Sequence, residues 1–113
     1  MVIERGAICW AEPQGPGPGL RFPVLVVQAD PFNRSRIPTV LVVPLVANLR
    51  LADAPGNVRM PAAASGLPRD LVANVAQVLT LERRQLRATG TRLAGELLDA
   101  VTEGLELVLG LER

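Results

Sequence analysis

Apolar positions are densest between residues 21 and 46, in the stretch RFPVLVVQADPFNRSRIPTVLVVPLV. Two valine-rich runs, 24–28 and 39–46, flank a polar bend. Both are too short for a helix with one wet side, so each predicts a mostly buried strand. Between them, Asp30-Pro31 and Asn33-Arg34-Ser35-Arg36 supply turn formers and set two arginines at one corner. Pro44 cannot donate to a strand ladder, which predicts a place at a sheet edge or in a bulge.

On either side of this hairpin the pattern is broken into short pieces. Residues 7–11 predict a first strand, with Trp10 as a large anchor in a core short of aromatics. Residues 12–19 alternate proline and glycine and predict an irregular loop without a ladder. A second loop, 47–56, closes on a Pro-Gly turn signal. A strand over 57–61 and a small-residue connection over 62–68 follow. Residues 71–81 are mostly apolar and fit either a buried strand pair or one long bent strand, with Asn74 and Gln77 as the polar exceptions. One helical turn over 82–87 and a short strand over 88–92 lead to the one clear helix, 95–109. Its acidic first turns complement the macrodipole. Leu97, Leu98, Val101, Leu105, Val108 and Leu109 share one face, and Ala100, Gly104, Leu107 and Leu111 widen that arc to roughly 200°, against the ~100° a surface helix needs. Glycine inside a helix costs about 1 kcal/mol relative to alanine, which is easier to accept where another backbone comes close to Gly104. The helix is therefore expected to pack on its own domain and on a second copy. Many short strands, Gly- and Pro-rich loops and one closing helix predict a mainly β fold, a small barrel with a C-terminal helix.

Length and composition narrow the class. With 113 residues, residues 1–113 are expected to form a single domain. No run approaches the ~20 apolar residues of a membrane span. Glu4-Arg5 interrupts any N-terminal hydrophobic segment, so no signal peptide is expected and a cytoplasmic location is. One cysteine, Cys9, allows no internal disulfide and no unaided zinc site, and its strand position predicts a buried thiol.

The net charge of +1 hides an asymmetry: residues 1–92 hold eleven arginines against six acids, and residues 93–113 one arginine against five. A polyanion would prefer the body of the domain to the C-terminal helix. Every basic residue is arginine, which forks onto phosphate but, with a pKa above ~12, moves protons poorly. A GC-rich genome gives the same bias without a functional message. The chain has neither histidine nor tyrosine, no phosphate-binding glycine loop before a helix and no metal-ligand spacing, so no metal or cofactor is expected.

The wording of the sequence is more particular than its composition. Glu4-Arg5-Gly6-Ala7-Ile8-Cys9-Trp10, then PVLVVQAD, FNRSRIPTVLVVPL, PGNVRMP, LPRDLVANVAQVLTLERRQL and the last helix stand in an order and spacing that resemble the MazF/PemK family of toxin endoribonucleases over nearly the whole chain. The resemblance implies a small SH3-like barrel of the CcdB/MazF/PemK type, usually a homodimer whose interface creates an RNA groove. It implies the toxin of a type II toxin–antitoxin system that cleaves single-stranded RNA without metal. The ribose 2′-OH would be the nucleophile, leaving a 2′,3′-cyclic phosphate and a 5′-hydroxyl. The implied protein partner is a cognate MazE-like antitoxin whose acidic, disordered tail lies in the same groove.

In that family an arginine directly precedes the proline that opens the second strand, and a threonine follows the third. Here Phe22 precedes Pro23 and Arg21 stands one residue earlier, while Val46 occupies the threonine slot. Arg21 is the expected catalytic residue if the chain around it is loop; within a strand, a one-residue shift would turn it to the other face. The loop 12–19, beside the family's active site and a plain connection or a mobile lid, is shorter than the family's and lacks its Gly-Ser-Glu-Gln-like segment. Ala76 replaces an acid that some members carry. Gln77 matches a family position that contacts RNA, and Asn74 and Asn48 offer amides to base edges, so Asn48, Asn74 and Gln77 are the expected RNA-binding set. Arg34 and Arg36 read as a solvated turn. Set against the nuclease is a second reading, a catalytically weakened member that binds antitoxins or, like CcdB, a protein target. Phe22, Val46 and the shortened loop favour that second reading.

Overall fold

In the computed structural model, which describes residues 3–13 and 19–111, the two valine runs form the middle of one antiparallel sheet. The strands are β1 (Ala7–Ala11), β2 (Phe22–Val26), β3 (Thr39–Val46), β4 (Val58–Met60), β5 (Leu71–Ala73), β6 (Leu79–Glu82) and β7 (Leu86–Arg92). Their order is β4-β5-β3-β2-β1-β7, with β6 paired to β3 off this path. The sheet curls into a half-barrel, and the helix α3 (Gly95–Leu109) packs against it. The short helices α1 (Asp30–Asn33) and α2 (Ala62–Ser65) are single turns in the connections. None of the described helices is long and apolar enough to cross a membrane.

Successive residues of β2 and β3 bury on opposite faces, which is why both runs read as almost continuously apolar. Leu25 and Val43 join one cluster with Ile8, Leu45, Met60 and Val101 of α3. Val24, Val26, Val40 and Val42 join the other with Cys9, Ala11 and Leu86. Cys9 is buried, and burial pushes its thiol pKa up, so it remains a protonated thiol. Segment 71–81 resolves into a strand pair, β5 and β6, with a turn between them.

Three expectations need correction. Trp10 does not anchor the interior: it is half-buried at the margin of the first cluster, and among the described residues the core is aliphatic with Met60 as its largest flexible filler. Its place near the end of β1 leaves one side of the indole open. Pro44 lies neither at an edge nor in a bulge. It sits in β3 in unbroken register with β2, opposite Val24. On its other flank β3 changes partner, from β6 over Thr39–Val42 to β5 at Leu45 and Val46. The missing donor falls at that change, where only the Pro44 carbonyl is used, accepting from the Asn74 N–H at 3.0 Å. The bend after β2 is a helical turn locked by amides. Asn33 Nδ2 donates to the Gln28 carbonyl at 2.8 Å, and Gln28 Nε2 donates to Asn33 Oδ1 at 3.0 Å.

Of the broad apolar arc on α3, Val101 and Gly104 are buried and Leu97, Leu98 and Leu105 pack on the core. Gly104 meets the backbone of Gly56: a Cβ on Gly104 would stand 2.0 Å from the Gly56 carbonyl oxygen. Leu107, Val108, Leu109 and Leu111 are exposed.

Candidate functional site

Strand parity decides which residues share a surface. Ala11 opposes Phe22, and both side chains belong with the second core cluster. Trp10 opposes Pro23 on the alternate face, and both line a cavity of about 300 Å3 together with Leu45, Leu67, Pro68 and Arg69. The strand begins at Phe22, so Arg21 is outside the pleat. Its guanidinium lies over the Trp10 ring, 4.3 Å from the centroid. Phe22 is thus a packing residue, and Arg21 is the cation at the indole. The cavity is lined by apolar side chains and one cation, Arg69. Ala47, one residue past Val46, completes its wall.

Most arginines of the body are engaged elsewhere. Arg59 pairs with Asp70 at 3.0 Å, Arg87 with Glu12 at 3.7 Å, Arg92 with Glu4 at 3.4 Å and Arg84 with Glu82. Arg5 donates to Thr102 Oγ1, and Arg83 donates to the Ile37 carbonyl at 2.7 Å. Arg21, Arg34, Arg36, Arg50 and Arg69 make no side-chain hydrogen bond or ion pair among the described residues. Of these five, Arg69 lines the Trp10 cavity and Arg21 covers the Trp10 ring itself, and the donors of both are open to an incoming anion. Asp70, next to Arg69, does not compete: it accepts from the Ala62 N–H and from Arg59, and these two bonds hold its carboxyl below the usual carboxylate range.

The three expected RNA-contacting amides fall on a second stretch of the same sheet. Asn48 is exposed and its Oδ1 accepts the Arg50 N–H at 3.1 Å, capping the 3-10 turn Leu49–Asp53. Asn74 and Gln77 are in contact, Asn74 Nδ2 donating to Gln77 Oε1 at 2.9 Å. They occupy the turn after β5, and Leu45 opposes Ala73, so three strand steps, about 14 Å at ~4.8 Å each, separate Trp10 from this turn along the sheet. Arg21 makes no hydrogen bond to Asn48, Asn74 or Gln77. The arrangement is a strip: an arginine-rimmed cavity at one end, Ala47 and Asn48 along the edge, and paired amides at the other.

Sequence reasoning missed Arg69, the exposed face of Trp10 and Asn57. Trp10 carried a signal in its position just before a Pro-Gly loop, where a strand end leaves the interior. Arg69 carried only the Gly66-Leu67-Pro68 turn, in which Gly66 has φ 75°. The segment 14–18, which holds most of the expected lid, lies outside the described residues.

Comparison with known proteins points the same way over nearly the full length. Residues 4–109 match the family described as the PemK-like, MazF-like toxin of type II toxin–antitoxin systems. Endoribonuclease MazF2 of Mycobacterium bovis is 43% identical across 98% of this chain and 100% of its own. Endoribonuclease EndoA of Bacillus subtilis is 33% identical across 98% of this chain and 97% of its own. Among solved structures, an endoribonuclease in complex with its cognate antitoxin from a mycobacterial species shares the fold with a TM-score of 0.78 at 23% identity, covering 98% of both chains. A MazE–MazF complex of Deinococcus radiodurans gives 0.78 at 20% identity over 97% of this chain and 98% of that one. With the half-barrel, the closing helix and the matched span in agreement, this chain belongs to the PemK-like, MazF-like toxins of type II toxin–antitoxin systems.

Proposed function

We propose that this toxin, acting in the cytoplasm as one domain over residues 1–113, is an endoribonuclease that cuts single-stranded RNA without metal. The observation that carries the proposal is the Arg21 guanidinium on the Trp10 ring, beside a cavity that Trp10 lines together with Arg69, and neither arginine pairs with a carboxylate among the described residues. An RNA phosphodiester carries its own nucleophile. The 2′-hydroxyl gives its proton to water as its oxygen attacks phosphorus, the P–O5′ bond breaks, the departing O5′ takes a proton from water, and a 2′,3′-cyclic phosphate and a 5′-hydroxyl result. The charge that grows on the pentavalent phosphorane is met by a fixed guanidinium, whose preorganised donors favour that state over the ground state. Arg21 stays protonated throughout and stabilises charge rather than shuttling a proton.

Bases of the same strand would stack on Trp10 and meet Asn48, Asn74 and Gln77 along the strip. The relatives named above as MazF and EndoA are endoribonucleases, and one neighbouring structure holds its cognate antitoxin. An acidic antitoxin tail suits the same arginine-rimmed groove. Association of two copies would use the exposed apolar residues of α3.

The test is incubation of the purified protein with a long RNA in excess chelator, followed by mapping of 5′-hydroxyl ends. Discrete ends that vanish in Arg21→Ala are expected. Intact RNA would overturn the proposal, and ends undiminished in Arg21→Ala would remove Arg21 from the mechanism. A second reading has its own observation: Val46 brings no hydroxyl to the cavity edge and Phe22 packs on the core. A toxin so altered would bind antitoxin, or a protein target, without cutting. Val46→Thr raises the cleavage rate if the missing hydroxyl is what limits it.

A further inference from the structure

Asn57, half-buried before β4, joins three segments through one side chain. Its Oδ1 accepts the Val75 N–H at 3.0 Å, and its Nδ2 donates to the Leu51 carbonyl at 2.9 Å and to Asn74 Oδ1 at 3.3 Å. Both outer partners are main-chain groups: an N–H can only donate and a carbonyl can only accept. The Asn57 amide therefore has one permitted orientation. That orientation is passed on. Asn74 must offer Oδ1 to Asn57, which turns its Nδ2 towards Gln77 Oε1, 2.9 Å away. Gln77 in turn has its oxygen directed inward and its Nε2 outward, with no partner among the described residues. The turn itself is pinned: Gln77 N–H donates to the Asn74 carbonyl at 3.1 Å, Asn74 N–H donates to the Pro44 carbonyl at 3.0 Å, and Val75 is fully buried.

We infer that Asn57 and Asn74 are positioning residues that turn the Gln77 NH2 towards the RNA, where it meets the keto oxygen of uracil O4 or guanine O6, so that cytosine and adenine, which carry an amine at that position, are disfavoured there. The inference rests on the ribonuclease reading for its substrate. The polarity of the relay rests on the main chain alone. Uracil and cytosine differ at this edge by an oxygen for an amine, as do guanine and adenine, so the exchange tests polarity without changing shape.

The experiment compares cleavage of single-stranded RNAs that differ by U→C or G→A at each position around the cut. In the unaltered protein one position should show a two- to tenfold preference for the keto base, about what one net hydrogen bond supplies. Asn74→Asp gives Asn57 the same acceptor but can only accept from Gln77, so the Gln77 amide turns over and the preference collapses or inverts. Gln77→Glu, at an exposed position that does not threaten folding, puts an acceptor in the same place and should do likewise. The ratio between bases is insensitive to the uniform loss that an added negative charge causes. No keto preference at any position, or the same preference in both variants while cleavage persists, overturns the inference. If the unaltered protein cuts nothing, the ribonuclease reading fails, and side-chain NH2 exchange by NMR decides the relay separately. The Gln77 NH2 should exchange freely with water, and become protected in Asn74→Asp. A Gln77 NH2 already protected in the unaltered protein would overturn the relay.

Discussion

The guanidinium of Arg21 covers the ring of Trp10 at 4.3 Å from its centroid, and Trp10 is the chain's one tryptophan. Intrinsic fluorescence therefore reports a single place, the rim of the proposed groove. Adding a single-stranded RNA that cannot be cleaved should change Trp10 emission in a saturable, salt-sensitive way, because phosphate binding releases counterions. An emission spectrum unchanged at saturating RNA would place the strand elsewhere.

Arg21 and Arg69 should separate kinetically. Arg21→Ala is expected to lower kcat by about 10²-fold, the usual effect of removing one preorganised donor at developing charge. Arg21→Lys should restore only part, since an ammonium cannot fork across two phosphate oxygens. Arg69→Ala, on the far rim of the cavity, should raise KM several-fold and leave kcat nearly intact. Steady-state rates on a short RNA distinguish these outcomes.

Gly104→Ala should destabilise the fold by about 2 kcal/mol even though alanine is the better helix former by about 1 kcal/mol. The added Cβ would stand 2.0 Å from the Gly56 carbonyl oxygen, and Gly56, at φ 87°, is itself held in a conformation that leaves little room to retreat. A shifted urea midpoint with an unchanged slope is the expected signature.

Two carboxyls set the acid limb of stability. The Arg5 N–H, then the Asn33 amide, lower the pKa of Asp30, and the Ala62 N–H, then Arg59, lower that of Asp70. A lowered folded pKa stabilises at pH values above the unfolded one, about 3.9, and the gain is lost as pH falls through the folded value. Stability should therefore drop below about pH 4, and Asp30→Asn or Asp70→Asn should make that drop shallower in denaturation curves taken between about pH 2 and 5.

Leu107, Val108, Leu109 and Leu111 are 41%, 42%, 60% and 63% exposed at the end of α3, beyond the residues that face the core. If two copies meet there, sedimentation at micromolar concentration should return a dimer. Leu107→Glu with Val108→Glu should return a folded monomer. A native monomer at that concentration would remove this face from the assembly.

Much of the fold was legible because the strongest local signals were also the tertiary ones. The valine runs are β2 and β3, and the amphipathic span 95–109 is α3 to the residue. Gly104 advertised a close backbone approach, and Gly56 provides it. Position along a strand misled twice. Trp10 is large and apolar, yet it stands where β1 leaves the interior. Pro44 lacks a donor, yet it sits at a central strand's change of neighbour, a place that only the paired structure defines. The proposed site was half visible. Arg21, Asn74 and Gln77 stood out as polar residues beside apolar runs. Asn57 and Arg69 look like any loop residue until the turn 74–77 and the cavity bring partners to them.

The change of neighbour along β3 reaches beyond the sheet to how the chain is made. Thr39 must wait for Glu82 and Leu45 for Ala73 before that strand is flanked on both sides. A chain emerging from the ribosome therefore carries its most apolar strand with one flank bare until residue 82 has cleared the exit. Pairings this distant in sequence place folding in the slow, millisecond-to-second range. Until then the bare flank of β3 is an open edge, available to any other unpaired strand.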